Sequence, residues 1–122
     1  MSRPPLNQLG EFLENRAKRC EPIFYNELAM IFGLPPVTEA WSSHPLCELF
    51  DTLDVADQQA GSPFRTALVV GKQTSIPGDG FFKTLNRLRN TPYPIRDELK
   101  KMEIWKGEFD RLIDFYASHS QA

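Results

Sequence analysis

PFRTALVVGKQTSIPGDGFFKTL, residues 63–85, is the stretch whose reading decides the fold. Thr66-Ala67-Leu68-Val69-Val70 is short, apolar and rich in β-branched residues, which predicts the central strand of a small sheet. The polar residues 71–75 read as a turn, and Pro77-Gly78-Asp79-Gly80 as a tight return in which glycine supplies unusual backbone angles. Phe81 and Phe82 then either complete a β-hairpin or open a helix running through Leu85 and Leu88. A strand, turn and return of this size must lean on helices, and the rest of the chain supplies them.

Upstream, Leu6, Leu9, Phe12 and Leu13 recur at helical spacing, predicting a helix over 5–19 that Pro22 ends. A short helix follows from Tyr25 or Asn26, with Leu28, Ile31 and Phe32 as its buried stripe. Gly33 closes it in the left-handed region, and Pro35-Pro36 forbids its continuation. Thr38 is a good N-cap for a second short helix through Glu39, Ala40 and Trp41, so that helix, turn and helix succeed one another. Ser42 or Ser43 caps the next helix, with Pro45 in its first turn and Leu46, Leu49, Phe50 and Leu53 as its apolar stripe. Asp51, Asp54 and Asp57 are expected on its other side as a solvated acidic face. Residues 90–94 break the chain. Leu99, Met102, Trp105, Phe109, Leu112, Ile113 and Tyr116 then mark a long amphipathic helix.

These elements predict one domain over 1–122, with an N-terminal helix at 5–19, a core at 23–85 and a C-terminal helix at 94–117. The fold class is mainly α with a small β-hairpin or sheet (α+β). A chain of 122 residues, 41% hydrophobic, can bury one core. It has no apolar run of membrane-spanning length and no apolar segment of signal-peptide type at its start, so a cytoplasmic protein without membrane partners is expected. Cys20 and Cys47 lack metal-type spacing and read as reduced thiols. The net charge of -2 argues against a uniformly basic, nucleic-acid-coating surface, yet the charge is unevenly spread. Residues 39–57 hold five acids and no Lys or Arg, whereas 83–106 hold seven bases against three acids.

The order of these pieces resembles the winged-helix DNA-binding domain of the O6-alkylguanine-DNA alkyltransferases and alkyltransferase-like proteins. Tyr25-Asn26-Glu27-Leu28-Ala29 follows that family's Tyr-Gly-Glu-Leu/Ile-Ala pattern, and Gly33-Leu34-Pro35 its Gly-x-Pro turn. Residues 63–70 echo its Pro-Cys-His-Arg-Val-Val strand, and 78–82 its glycine-containing wing; the resemblance spans about 23–85. It implies a winged helix-turn-helix-like domain, with the C-terminal helix an addition, that contacts DNA through the second helix and the wing. The family's chemistry is not implied. Phe64 follows Pro63 where the methyl-accepting thiol would stand, and alignment on Val69-Val70 puts Thr66 there instead. The activating histidine is missing, and the intercalating arginine falls near Glu39.

No other chemistry fills the gap. His44 and His119 are not joined by ligands at metal-binding spacing, Ser42-Ser43-His44 reads as capping, and PGDGF lacks the lysine of a phosphate loop. No catalytic residue, metal or cofactor is expected, which leaves binding. If DNA is the partner, Thr38 and Trp41 on the second helix, Lys72, Gln73 and Thr74 in the loop, and Lys83, Arg87 and Arg89 beyond it are the candidate contacts. The alternative is a protein-interaction module, an inhibitor or adaptor of a nucleic-acid enzyme. It would use Trp41 and Phe64 as aromatic anchors and Glu48, Asp51 and Asp54 as an acidic surface. The two differ in whether basic residues gather on one face or an apolar patch lies beside the acids.

Overall fold

The computed structural model describes residues 6–37 and 44–118. Five helices and two very short strands account for most of them. Helix α1 (Leu6–Lys18) buries Leu9, Leu13 and Ala17, which lie one helical turn apart on a single face. It stops before the proline, at Cys20, whose φ of 58° is left-handed. The Arg16 guanidinium donates to the carbonyls of Glu21 and Pro22 at 3.1 and 2.7 Å, tying the chain that leaves the helix back to its last turn. Helix α2 (Tyr25–Ile31) begins where the Glu27 carboxylate accepts the Phe24 amide at 3.2 Å. Gly33, with φ +69°, takes the left-handed position expected of it.

Helix α3 (Pro45–Ala60) is capped by His44. The His44 Nδ1 accepts the Leu46 amide at 3.1 Å, which fixes the proton on Nε2 for donation to the Pro35 carbonyl at 2.8 Å. His44 is therefore a buried capping residue. Thr38, Ser42 and Ser43, expected as caps, lie outside the described residues, as do Glu39, Trp41 and His119. Helix α4 (Asp79–Arg89) ends at left-handed Asn90, and α5 (Glu98–Ser118) completes the chain.

The β-structure departs from the hairpin. Strand β2 is Val69–Val70, and it pairs in parallel with β1, Ile23–Phe24, far upstream. Arg65–Leu68 winds as a 3-10 turn instead of extending the strand. Thr66, Ala67 and Leu68 are buried because α1, α3 and α5 all pack against this turn, so their apolar character serves helix packing rather than a sheet. Phe81 and Phe82 take the helical alternative, inside α4. No return strand forms because residues 71–78 close on themselves, Gly71 donating to the Ile76 carbonyl at 2.8 Å. A side chain at Gly71 would meet the Thr74 hydroxyl oxygen at 2.8 Å and push against the hydrogen bond that it donates to the Ile76 carbonyl at 3.1 Å. The fold is mainly α with a small two-stranded parallel sheet.

Helix α5 turns the predicted residues Trp105, Phe109, Leu112, Ile113 and Tyr116 toward the core but departs from the predicted stripe in its first turns. Leu99 and Met102 are 74% and 48% exposed, while Lys101 and Glu108 are buried. Lys101 pairs with Asp79 and Glu98, both at 2.9 Å, and Glu108 pairs with Arg89 at 2.7 Å and Arg111 at 3.2 Å. The α4–α5 seam is thus ionic at its start, and only farther along do Leu112 and Tyr116 enter the core. Trp105 anchors the helix, its indole N–H donating to the Ala67 carbonyl in the 3-10 turn at 2.8 Å. Among the described residues, no helix is long and apolar enough to cross a membrane.

Candidate functional site

The acidic face expected on α3 does not exist. Asp51 is exposed, but Asp54 and Asp57 are only 2% and 4% exposed. Both continue the apolar stripe: Asp54 lies four residues beyond Phe50, and Asp57 four beyond Leu53. The two carboxylates face inward to different neighbours.

Asp57 meets a cation. It accepts the Arg65 backbone amide at 3.0 Å and the guanidinium at 3.2 and 2.9 Å. Arg65 reaches on to Glu14 of α1 at 2.8 Å, tying α1, the 3-10 turn and α3 together. Burial pushes the Asp57 carboxyl up while the hydrogen bonds and charge of Arg65 draw it back. Burial would lower the Arg65 guanidinium, but the hydrogen bond and charge of Asp57 more than reverse that and raise it.

Asp54 meets a hydroxyl and a cavity. Its Oδ1 accepts the Thr66 hydroxyl at 2.7 Å. Burial raises this carboxyl to about 8, with Asp57 and Asp51 adding to the rise; the Thr66 bond and Arg65 oppose it. Asp54 and Thr66 line a cleft of about 510 Å3 whose walls include Tyr25, Phe50 and Phe81, with Lys83 also on its lining. The Tyr25 hydroxyl accepts the Gly78 amide at 2.9 Å, which joins α2 to the start of α4 across the cleft. Burial raises the Tyr25 hydroxyl as well, with the Gly78 bond opposing and Asp54 adding. Cys47 also lines the cleft, as a free thiol that burial and the charges of Asp51 and Glu48 push away from the thiolate form. Aromatic walls with a few convergent polar groups and a displaced carboxyl are the usual features of a ligand pocket.

The expected binding residues separate into three groups. Lys72, Gln73, Lys83 and Arg87 are exposed, and the three cations among them form no ion pair among the described residues. Lys83 and Arg87 lie one turn apart on α4 and so share a face. Thr74 is exposed, but its hydroxyl donates within the loop to the Ile76 carbonyl at 3.1 Å. Arg89 is withdrawn from phosphate contact. It is paired with Glu108 and stands 4.9 Å from the Phe64 ring centroid, a cation–π contact. Thr38 and Trp41 are outside the described residues. Of the alternative protein-contact set, Glu48 and Asp51 are exposed, whereas Asp54 and Phe64 are buried. Phe64 packs edge-on to Phe81 in the core because it leads directly into the 3-10 turn that three helices cover.

Spacing on α3 held the signal for Asp54, since the stripe Leu46, Phe50, Leu53 includes its position. Tyr25 and Thr66 stood in the motif pattern without an assigned role, and only the fold brings them to one cavity. Among the described residues, no three of His, Cys, Asp and Glu gather as a metal ion would require. Comparison of the chain with protein-family models, curated proteins and solved structures returned no match.

Proposed function

We propose that this domain is a non-enzymatic nucleic-acid-binding module that admits an unpaired base to the cleft while Lys72, Lys83 and Arg87 meet the phosphates. The observation that carries this is Lys83 on the lining of an aromatic-walled cleft. Tyr25, Phe50 and Phe81 offer surfaces on which a base stacks, and a cation at the same site meets the adjoining backbone. Lys72 on the loop leading into α4 and Arg87 one turn beyond Lys83 extend the basic set, with no ion pair among the described residues to compete for them. Neither Phe64 nor Thr66, the two positions the resemblance offers for the family's thiol, is a cysteine, and the Cys47 thiol on the cleft lining is pushed away from ionisation, which supports binding over alkyl transfer.

Fluorescence anisotropy with single-stranded DNA, and with duplex DNA carrying one unpaired base, tests this. Neutralising about three phosphates gives a log–log salt slope of about -2 to -3, and the Lys72→Ala, Lys83→Ala, Arg87→Ala triple variant should remove most of that slope together with the binding. Failure of the wild-type protein to bind either DNA at low salt would sink the proposal.

A further inference from the structure

We propose that Asp54 is the specificity-determining residue of this cleft: its carboxyl, as the neutral acid, reads the adjacent donor and acceptor of a nucleobase edge, and the base is released when the carboxyl ionises. This rests on the nucleic-acid reading above and adds to it the chemistry by which a base is told from an apolar group of the same shape.

The geometry begins with what the cleft lacks elsewhere. Phe50 and Phe81 give its walls no polar recognition, and the Tyr25 oxygen is engaged by the Gly78 amide. Among the described residues of the lining, Asp54, Thr66 and Thr84 are buried and polar; Asp54 is the carboxyl of the three, and it is held by the Thr66 hydroxyl at 2.7 Å. Thr66 donates into Oδ1, so the carboxyl is held in one orientation by a bond that does not use its acidic proton. A protonated carboxyl offers a donor and an acceptor side by side, the pattern complementary to the N–H and ring nitrogen or carbonyl found along a base edge. An ionised carboxylate offers acceptors alone and repels a base carbonyl.

The surroundings keep the proton on. From α3, Asp57 and Asp51 disfavour a second negative charge; from the 3-10 turn, Arg65 favours it but is already engaged by Asp57 and Glu14. From α2, Tyr25 is a neutral hydroxyl. From α4, Asp79 is paired with Lys101, and Lys83 is exposed to solvent, where its charge is screened. Together with burial these place the titration near 8, within reach of ordinary buffers.

The test uses two oligonucleotides that differ at one unpaired position, thymine against difluorotoluene, which has the same shape without hydrogen-bonding groups. At about pH 6.5 the wild-type protein should prefer thymine by roughly tenfold, and the preference should fade by about pH 9. Asp54→Asn, whose amide presents a donor and an acceptor at every pH, should make the preference independent of pH. Asp54→Leu should abolish it at every pH. Equal binding of the two probes at the lower pH, or a wild-type preference that does not change with pH, overturns the assignment to Asp54 while leaving nucleic-acid binding in place. Absence of binding to both probes overturns the underlying function as well.

Discussion

Asp54 and Asp57 lie on one face of one helix, and both are buried, yet they do opposite things. Asp57 has a guanidinium against it and joins three elements through Arg65. Asp54 has one hydroxyl and a cleft, and its carboxyl is raised to about 8. A buried acid beside a cation is cross-linking, and removing it strands a charge. A buried acid beside a cavity is a standing cost to the fold, the kind of local expense often associated with binding sites. The difference between them separates the scaffold from the site.

The largest expected effect breaks the scaffold side. Asp57→Ala leaves Arg65 buried with only Glu14 and should cost about 3–5 kcal/mol in a denaturant titration. A loss below about 1 kcal/mol would mean that Asp57 anchors nothing.

The opposite sign is expected at Asp54. Below about pH 4 the carboxyl is protonated in both folded and unfolded chains; between about pH 4 and about pH 8 the folded protein must hold a proton that the unfolded chain releases. Wild-type stability should therefore fall as pH rises through that window. Asp54→Asn, which does not titrate, should escape this loss and be more stable by about 1–3 kcal/mol near neutrality. Parallel pH–stability profiles for the two proteins would place the Asp54 carboxyl at an ordinary acidity and erase the contrast with Asp57.

A smaller change sharpens the comparison at the hydroxyl. Thr66→Val removes the donor that favours the ionised form, so the Asp54 titration followed by carbon NMR should move upward, with a stability loss of about 1 kcal/mol. A downward move would show that Thr66 is not what restrains this carboxyl.

The smallest effect should enter from the Asp57 side. A methyl at Gly10 would stand 2.6 Å from the Arg65 Nη1, the far end of a flexible side chain. Gly10→Ala should shift stability by less than about 1 kcal/mol, since the strain on Arg65 is offset by better helix propensity. Because the Arg65 charge opposes the rise at Asp54, displacing the guanidinium should move the Asp54 titration slightly upward, and a downward move would contradict that sign.

Much of the helical framework was legible. The spacing of Leu6, Leu9, Phe12 and Leu13 predicts α1 to within about a residue, and Gly33 stands in the left-handed position its neighbours imply. Three-residue spacing predicts one outward face for Asp51, Asp54 and Asp57, whereas Phe50 to Asp54 and Leu53 to Asp57 are one-turn steps on the inward face. Leu99 and Met102 misled for a related reason: apolar residues mark the buried side only when the opposing surface is apolar, and α4 offers Asp79 and Arg89 there. Thr66 to Val70 looked like a strand because the composition of a buried 3-10 turn and that of a buried strand are alike.

The sequence by itself determined what depends on neighbours three or four positions apart: a mainly helical chain, where α1 and α5 run, and which glycines and prolines end a helix. Tertiary structure decided what depends on residues far apart in the chain. Ile23 finding Val69 in parallel, Arg65 turning toward Asp57, Arg89 toward Glu108 and Asp54 toward a cleft are all of that kind. Hydrophobic periodicity is written locally, but desolvation and charge pairing belong to whichever surface closes over a residue, and that surface exists only in the folded molecule.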